Sequence, residues 1–239
     1  MTRAAVVVPV YRNAATLEAL VARLGTALAG RDWRLRLVVD ACPSGSAEVA
    51  LRLAATDPRV AVTGLTVNGG QHAALRQGLA DEPDADVWVC MDADLQDPPE
   101  AVPLLLDRLA VGDVEAVFGG RRGAYESWLR RVTGGLHRRV AARLTGLPPD
   151  AGAFLALGPA VRSAVLAAPA SPSVVLAVGV ARRPVTSVPV ARDVRPEGRS
   201  AWTARARLGQ SVRSLWWALR RRWLAEPSEP PLSRSWTGR

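Results

Sequence analysis

The chain has no lysine: all 31 of its basic residues are arginine. That uniformity reads first as genomic base composition and marks no site by itself. Cysteine is nearly absent. Cys42 and Cys90 are too few for a disulfide framework and lack zinc-site spacing, so a reducing cytoplasm is the simplest setting. His72 and His137, the two histidines, have no partner ligands at useful spacing and read as helix-surface or packing residues. No stretch approaches the roughly 18 uninterrupted apolar residues of a membrane-spanning helix. The richest segment, 164–181, is interrupted by Pro169 and Pro172. The first apolar run, 4–10, is short, carries Pro9 and lacks the cleavage pattern of a signal peptide.

What is present fits a soluble globular protein. The 239 residues are 49% hydrophobic and 22% charged, with a net charge of +9, which excludes a wholly disordered chain. The length suits one large domain or a domain with an appendage. Charge is placed unevenly: residues 1–191 hold 20 Arg against 18 acidic residues, whereas 192–239 hold 11 Arg against 4. Five of the eight tryptophans also lie in that second segment. The expected organisation is a near-neutral body over 1–199, a basic helix over 200–225 and a mobile end over 226–239, with no internal repeats.

The body alternates strand and helix signals. Runs rich in Val and Leu at 4–10, 35–39, 60–67, 87–91 and 114–118 read as buried strands. Between them, 14–29, 46–55, 71–80 and 98–110 read as helices, the last with its prolines in the first turn, where a missing N–H is harmless. Further on, 125–144 reads as an Arg-rich helix, 151–157 as a short apolar segment, 159–167 as a helix and 184–190 as a strand. This order predicts an α/β fold with a mostly parallel sheet flanked by helices. In such sheets ligands sit beyond the carboxyl ends of the strands, so the polar residues just after each strand carry the interest.

The strongest of these is the string Met91-Asp92-Ala93-Asp94-Leu95-Gln96-Asp97-Pro98-Pro99-Glu100. Two carboxylates one residue apart leave a buried strand at its C-terminal end. Their hard oxygens suit Mg²⁺ or Mn²⁺, which keep waters and take further ligands from a substrate phosphate. A cation bridging a diphosphate stabilises the charge that develops when a nucleoside diphosphate leaves. The bland alternative is an acidic turn in which Asp97 caps the following helix.

The string 92–100 resembles the metal-binding segment of family 2 glycosyltransferases, above all the branch of dolichol-phosphate mannose synthases and undecaprenyl-phosphate glycosyltransferases. Val7-Val8-Pro9-Val10-Tyr11-Arg12-Asn13 is similar to the family's first strand and nucleotide-contacting turn. The run from Asn68-Gly69-Gly70-Gln71-His72 to Gly78 is similar to its Asn-x-Gly helix start, and Arg192, Arg195, Gly198 and Ser200 to its late loop. The resemblance covers about residues 5–205 and implies a GT-A type fold, a nucleotide-sugar donor and a divalent metal, Mg²⁺ or Mn²⁺.

It also implies roles. Asp92 and Asp94, assisted by Gln96, would hold the metal, with Ala93 beside the donor. Pro9, Tyr11, Asn13, Asp40, Asn68 and Gly70 would line the nucleotide, with Tyr11 flanking a base and Asp40 accepting a hydrogen bond from a uracil-like N–H. Arg121 and Arg122, after the fifth strand, and Arg192, Arg195 and Ser200 would hold phosphates, for which the guanidinium fork is suited. Arg76 reads as a surface charge.

The sequence departs from the family pattern in three places. Ala41 follows Asp40 where a second carboxylate is usual. Ala151-Gly152-Ala153-Phe154-Leu155 stands where relatives carry Ala-Gly-Asp-Phe-Arg, whose Asp is a proposed base, and Ala201 replaces a Lys. An acceptor phosphate is already anionic near neutral pH, whereas a hydroxyl acceptor wants a base. Ala153 therefore leaves three readings open: a phosphate acceptor, another base such as Asp97 or Asp150, or a relative that has lost activity.

In the basic segment, Leu208, Val212, Leu215, Trp216, Leu219 and Trp223 recur at three- and four-residue steps, with Arg213, Arg220 and Arg221 flanking or opposing them. This reads as a C-terminal amphipathic helix for an anionic membrane surface; packing against the body is its plainer alternative. No nucleic-acid module is present. The expectation is a metal-dependent, inverting glycosyltransferase acting on polyprenyl phosphate, peripheral at the cytoplasmic membrane face, with a membrane-protein partner or a second copy as further candidates. The same chemistry on a hydroxyl acceptor and a non-catalytic relative are the alternatives. Nucleotidyl transfer ranks low, since no Gly-rich triphosphate loop is visible.

Overall fold

Alternation along the first strand sets the layers. In β1 (Ala4–Val10), Ala4, Val6, Val8 and Val10 enter one apolar cluster, while Ala5 and Val7 enter another on the opposite face. Successive side chains of a strand point to opposite faces, so a run of small and β-branched residues buried on both sides belongs at the centre of a covered sheet. The computed structural model describes residues 2–122, 146–168, 173–191 and 235–238, with backbone alone at 121–122 and 235–238.

The other strands are β2 (Trp33–Asp40), β3 (Val60–Leu65), β4 (Val87–Cys90), β5 (Ala116–Arg122), β6 (Leu155–Leu157), β7 (Val185–Ala191) and β8 (Ser235–Gly238). Their order in the sheet is β7-β5-β6-β4-β1-β2-β3-β8. The β6 and β8 pairings are antiparallel and the rest parallel. One face carries α1 (Ala14–Ala27), α2 (Ser46–Thr56) and α4 (Val102–Ala110), whose Leu17, Leu20, Leu24, Ala50, Leu105 and Leu109 join the first cluster. The other carries α3 (Gln71–Asp81), α5 (Pro159–Leu166) and α6 (Val174–Val180), with Leu75, Leu79, Val161, Val165, Val174 and Val178 in the second.

The mostly parallel α/β architecture agrees with the sequence, and four elements differ from it. The short apolar segment at 151–157 supplies β6, which inserts antiparallel between β4 and β5. The Pro-interrupted run supplies α6, a helix written in β-branched residues (VVLAVGV) because burial on the second face overrides propensity. Within 226–239, expected as a mobile end, Ser235–Gly238 pairs with β3 and covers what would be a bare sheet edge. The expected helix over 98–110 opens as a 3₁₀ turn, Pro99–Ala101, before α4 begins. The helices expected over 125–144 and 200–224 lie outside the described residues. Among those described, no helix is long and apolar enough to cross a membrane.

The sheet places a crevice. From β1 the chain winds outward through β2 to β3, then returns to lay β4 on the other side of β1. The loops after β1 and β4 therefore diverge at a switch point. Pro9 helps open it. Val7 O accepts from Met91 N–H at 3.2 Å, the last hydrogen bond from β4, and Pro9, two residues on, has no N–H to extend the ladder on that side.

Candidate active site

All of the sequence-predicted site residues that lie among the described ones gather at this end of the sheet. Tyr11 and Asn13 follow β1, Asp40 ends β2, Asn68 and Gly70 follow β3, and Asp92 and Asp94 follow β4. Arg121 and Arg122 form the end of β5, and Ala191 ends β7 beside Arg122. Arg192, Arg195 and Ser200 lie outside the described residues. Among the described non-glycine residues, φ is positive at Arg12 (59°), Ala41 (45°), Leu95 (60°) and Arg182 (51°). The first three sit in the loops that follow β1, β2 and β4, and strained backbone concentrated at one end of a sheet is characteristic of a functional site.

The acidic segment alternates in exposure. Asp92, Asp94 and Gln96 are half-buried, while Ala93, Leu95 and Asp97 are buried. Three oxygen-bearing side chains thus keep partial exposure within one short stretch at this end of the sheet. Asp94 Oδ1 accepts the backbone N–H of Gln96 at 3.1 Å, a local turn that fixes its carboxylate. Asp92 Oδ1 accepts a short hydrogen bond from Gln71 Nε2 at the start of α3. Asp97 is only 2% exposed, and the N-cap position of the 3₁₀ turn is held by Pro98. The burial of Asp97 suits support of the loop rather than contact with a substrate.

Neighbouring loops hold the segment. Thr16 Oγ1 in α1 lies 2.6 Å from Ala93 O and 3.0 Å from Asn13 O. Asn13 Oδ1 accepts Tyr11 N–H at 3.1 Å, and Asn13 N–H donates to Ser46 Oγ at 3.1 Å. Arg12 places its guanidinium carbon 5.4 Å from the centre of the Tyr11 ring. Cys42 accepts Arg12 N–H at 3.1 Å and lies 3.2 Å from Ser44 Oγ. Burial alone would raise the Cys42 thiol pKa; hydrogen bonds from Ser44, Ser46 and the backbone outweigh it and lower it.

Asp40 has partners within the protein. Its two carboxylate oxygens accept the backbone N–H groups of Gly69 and Gly70, at 2.7 and 2.8 Å, and Asn68 Nδ2 donates to its carbonyl at 3.3 Å. Arg76 is half-buried rather than a surface charge, and burial lowers its pKa. Sequence reasoning assigned no role to Thr16 or Gln71. Gln71 stood inside a recognised motif, whereas no local signal marks Thr16.

On the other side of β4 lies β6. Cys90 pairs with Leu155 in antiparallel register, so continuing the register brings Ala153 level with Asp92. Asp150 packs directly over Gly120 of β5, where any Cβ would collide with its carboxylate. Its Oδ2 lies 3.3 Å from Ser187 Oγ, while its buried Oδ1 has no partner among the described residues.

The donor set fits a hard divalent cation. Two carboxylates and an amide oxygen in one stretch are the ligands Mg²⁺ or Mn²⁺ prefer. Among the described residues no group of three His, Cys, Asp or Glu forms a self-contained metal site.

Comparison with known proteins matches residues 5–154, more than half of the chain, to "Glycosyl transferase family 2". The chain belongs to glycosyl transferase family 2. It is 32% identical over 145 residues to the undecaprenyl-phosphate 4-deoxy-4-formamido-L-arabinose transferase of Aeromonas hydrophila, covering 59% of this chain and 44% of that protein. The chain thus spans less than half the length of this curated relative. Among solved structures it is similar to glucosyl-3-phosphoglycerate synthase from Mycobacterium tuberculosis. The complex with Mn²⁺, uridine diphosphate and glucosyl-3-phosphoglycerate aligns with TM-score 0.69 at 21% identity, over 94% of this chain and 81% of that one. The complex with Mn²⁺, UDP-glucose and phosphoglyceric acid gives 0.66 at 21%, with the same coverage. At that identity the likeness carries the fold, and it is the GT-A type that the sequence led us to expect.

Proposed function

We propose that this family 2 protein transfers a sugar from a nucleoside-diphosphate sugar to a polyprenyl phosphate at a membrane surface, with inversion at the anomeric carbon. The observation that carries the reading is the placement of Asp92 and Asp94, both half-buried, after β4 at the opening between β1 and β4. Asp92, Asp94 and Gln96 hold Mg²⁺ or Mn²⁺, which supplies positive charge against the departing diphosphate. Tyr11, Asn13 and the loop at 68–70 border the nucleoside. Arg121, Arg122, Arg192 and Arg195, with Ser200, hold phosphates of donor or acceptor. The acceptor oxygen attacks the anomeric carbon in line; a carbon–oxygen bond to the acceptor forms as the bond to the diphosphate breaks, its electron pair leaving on the diphosphate oxygen.

The lipid-phosphate acceptor draws support from the undecaprenyl-phosphate transferase among the relatives and from Ala153. A methyl group level with Asp92 offers no base, and a phosphate oxygen needs none. The segment 200–225 provides the membrane contact, by its Trp and Arg pattern, and the reaction belongs at the cytoplasmic membrane face. Asp150 favours a second reading: a carboxylate beside β5 with one oxygen unpartnered among the described residues would serve a hydroxyl acceptor as base.

The test incubates the full chain with a panel of nucleotide sugars, Mn²⁺ and a short polyprenyl phosphate, followed by mass spectrometry. A lipid-linked sugar that disappears in Asp94→Ala, by at least about a hundredfold in rate, is expected. Product on a water-soluble alcohol alone, lost in Asp150→Asn, would select the second reading. No transfer to either acceptor, with Asp94→Ala indistinguishable from the parent, would leave a non-catalytic relative.

A further inference from the structure

We propose that Asp40 and Gln71 are positioning residues that set the metal carboxylate Asp92 through one continuous hydrogen-bonded path across the crevice. The proposal rests on the reading of Asp92 as a metal ligand.

The path starts at the end of β2. Asp40 is 3% exposed, and each of its oxygens accepts one backbone N–H, from Gly69 at 2.7 Å and Gly70 at 2.8 Å. A buried carboxylate gripping two successive amides fixes the orientation of both peptide planes. The turn accepts only glycine. Gly70 has φ +81°, and a Cβ on Gly69 would lie 2.8 Å from Ala73 Cβ. The next residue, Gln71, begins α3 and gives its side-chain amide to Asp92 Oδ1. Helix α3 is held close to the sheet at Gly78, where a Cβ would overlap Val7, so Gln71 cannot withdraw without moving the helix. Asp40 on one side of β1 and Asp92 on the other are thereby joined over the strand that separates them.

This arrangement gives Asp40 a role beyond meeting a nucleobase. An amide in its place has one acceptor oxygen and would turn an NH₂ group toward a backbone N–H. Asp40→Asn should therefore release the turn and, through Gln71, let Asp92 reorient. The effect should appear at the metal.

The experiment measures Mn²⁺ affinity of the full chain by electron paramagnetic resonance with saturating UDP, and UDP affinity separately in EDTA. Gln71→Ala and Asp40→Asn should each weaken Mn²⁺ about tenfold, the scale of one lost charge-assisted hydrogen bond, and Gln71→Ala should leave metal-free UDP binding unchanged. The double variant should be no weaker than the worse single one, as for groups acting in series. The side-chain amide resonance of Gln71, identified by its loss in Gln71→Ala, should shift in both Asp92→Asn and Asp40→Asn. If Asp40→Asn weakens UDP in EDTA and spares Mn²⁺, Asp40 meets the base and the proposal falls. Unchanged Mn²⁺ affinity in Gln71→Ala overturns it even if Asp40→Asn does not fold. If Asp92→Asn binds Mn²⁺ like the parent, the metal reading has failed, and the resonance shifts alone decide whether the path exists.

Discussion

Thr16 Oγ1 stands 2.6 Å from the carbonyl oxygen of Ala93, the residue between the two acidic side chains of the crevice. A single hydroxyl on the first turn of α1 therefore pins the acidic loop to the helix that follows β1, on the far side of the opening. Thr16→Val keeps the shape and removes the donor. One hydrogen bond is worth about 1 kcal/mol, so transfer should slow about fivefold and half-saturation by Mn²⁺ should rise, while Tm changes little. Thr16→Ser, which restores the hydroxyl, should restore both. Parent-like metal dependence in Thr16→Val would show that the loop holds itself.

The two cysteines should separate by reactivity. Cys90 is fully buried, and burial, reinforced by the charge of Asp92, pushes its thiol up to about 12. Cys42 is half-buried at the crevice, and its thiol lies below the ordinary value. Thiolate is the reactive form. Iodoacetamide at pH 7.5 should therefore label Cys42 at least about a hundredfold faster than Cys90, as read by peptide mass spectrometry. UDP with Mn²⁺ should slow that labelling, because Cys42 is tied to Arg12 in the loop beside Tyr11. Equal labelling of both thiols would contradict the packing at the end of β4.

Gly78 sits where α3 crosses closest to the sheet, and a Cβ there would overlap Val7 Cγ1 and lie 2.9 Å from Val38 Cγ2. Both are buried residues of central strands and have nowhere to yield. Gly78→Ala should destabilise the fold by about 1–3 kcal/mol, the usual cost of overpacking, outweighing the small gain in helix propensity. A denaturant melt checks this; an unchanged or raised midpoint would mean that α3 rides higher than described.

The strands legible in the sequence are those whose burial is written as a continuous Val-rich run, such as Ala4–Val10, and so is the acidic string that follows β4. Elements shorter than their own signal were not legible. Leu155–Leu157 spans three residues and becomes a strand because Cys90 and Phe118 flank it. Val174–Val180 has the composition of a strand and is helical because the second face of the sheet holds it. The site residues appeared as types after strand ends, but their partners did not. The bond of Asp40 to Gly69 closes over 29 residues, and that of Thr16 to Ala93 over 77. No local pattern announces contacts set by a strand order that reverses at β1.

His72 links the folded state to pH. Its Nδ1 is sealed from solvent and has no hydrogen-bond partner among the described residues. Burial, with the charge of Arg76 adding to it, pushes its pKa from the ordinary 6.5 down to about 4. The folded protein thus keeps the imidazole neutral where the unfolded chain takes up a proton. Between these two values the unfolded state binds more protons, so stability falls as pH drops through the window. The contribution is complete above about pH 6.5 and is lost progressively toward pH 4, below which both states are protonated. The slope is at most about 1.4 kcal/mol per pH unit. His72→Gln removes the titrating ring, so its melting temperature should vary less than that of the parent between pH 7 and 5, a range that lies above most carboxylate titration. Parallel curves for parent and variant would mean that the ring accepts its proton in the folded state as readily as in the unfolded one.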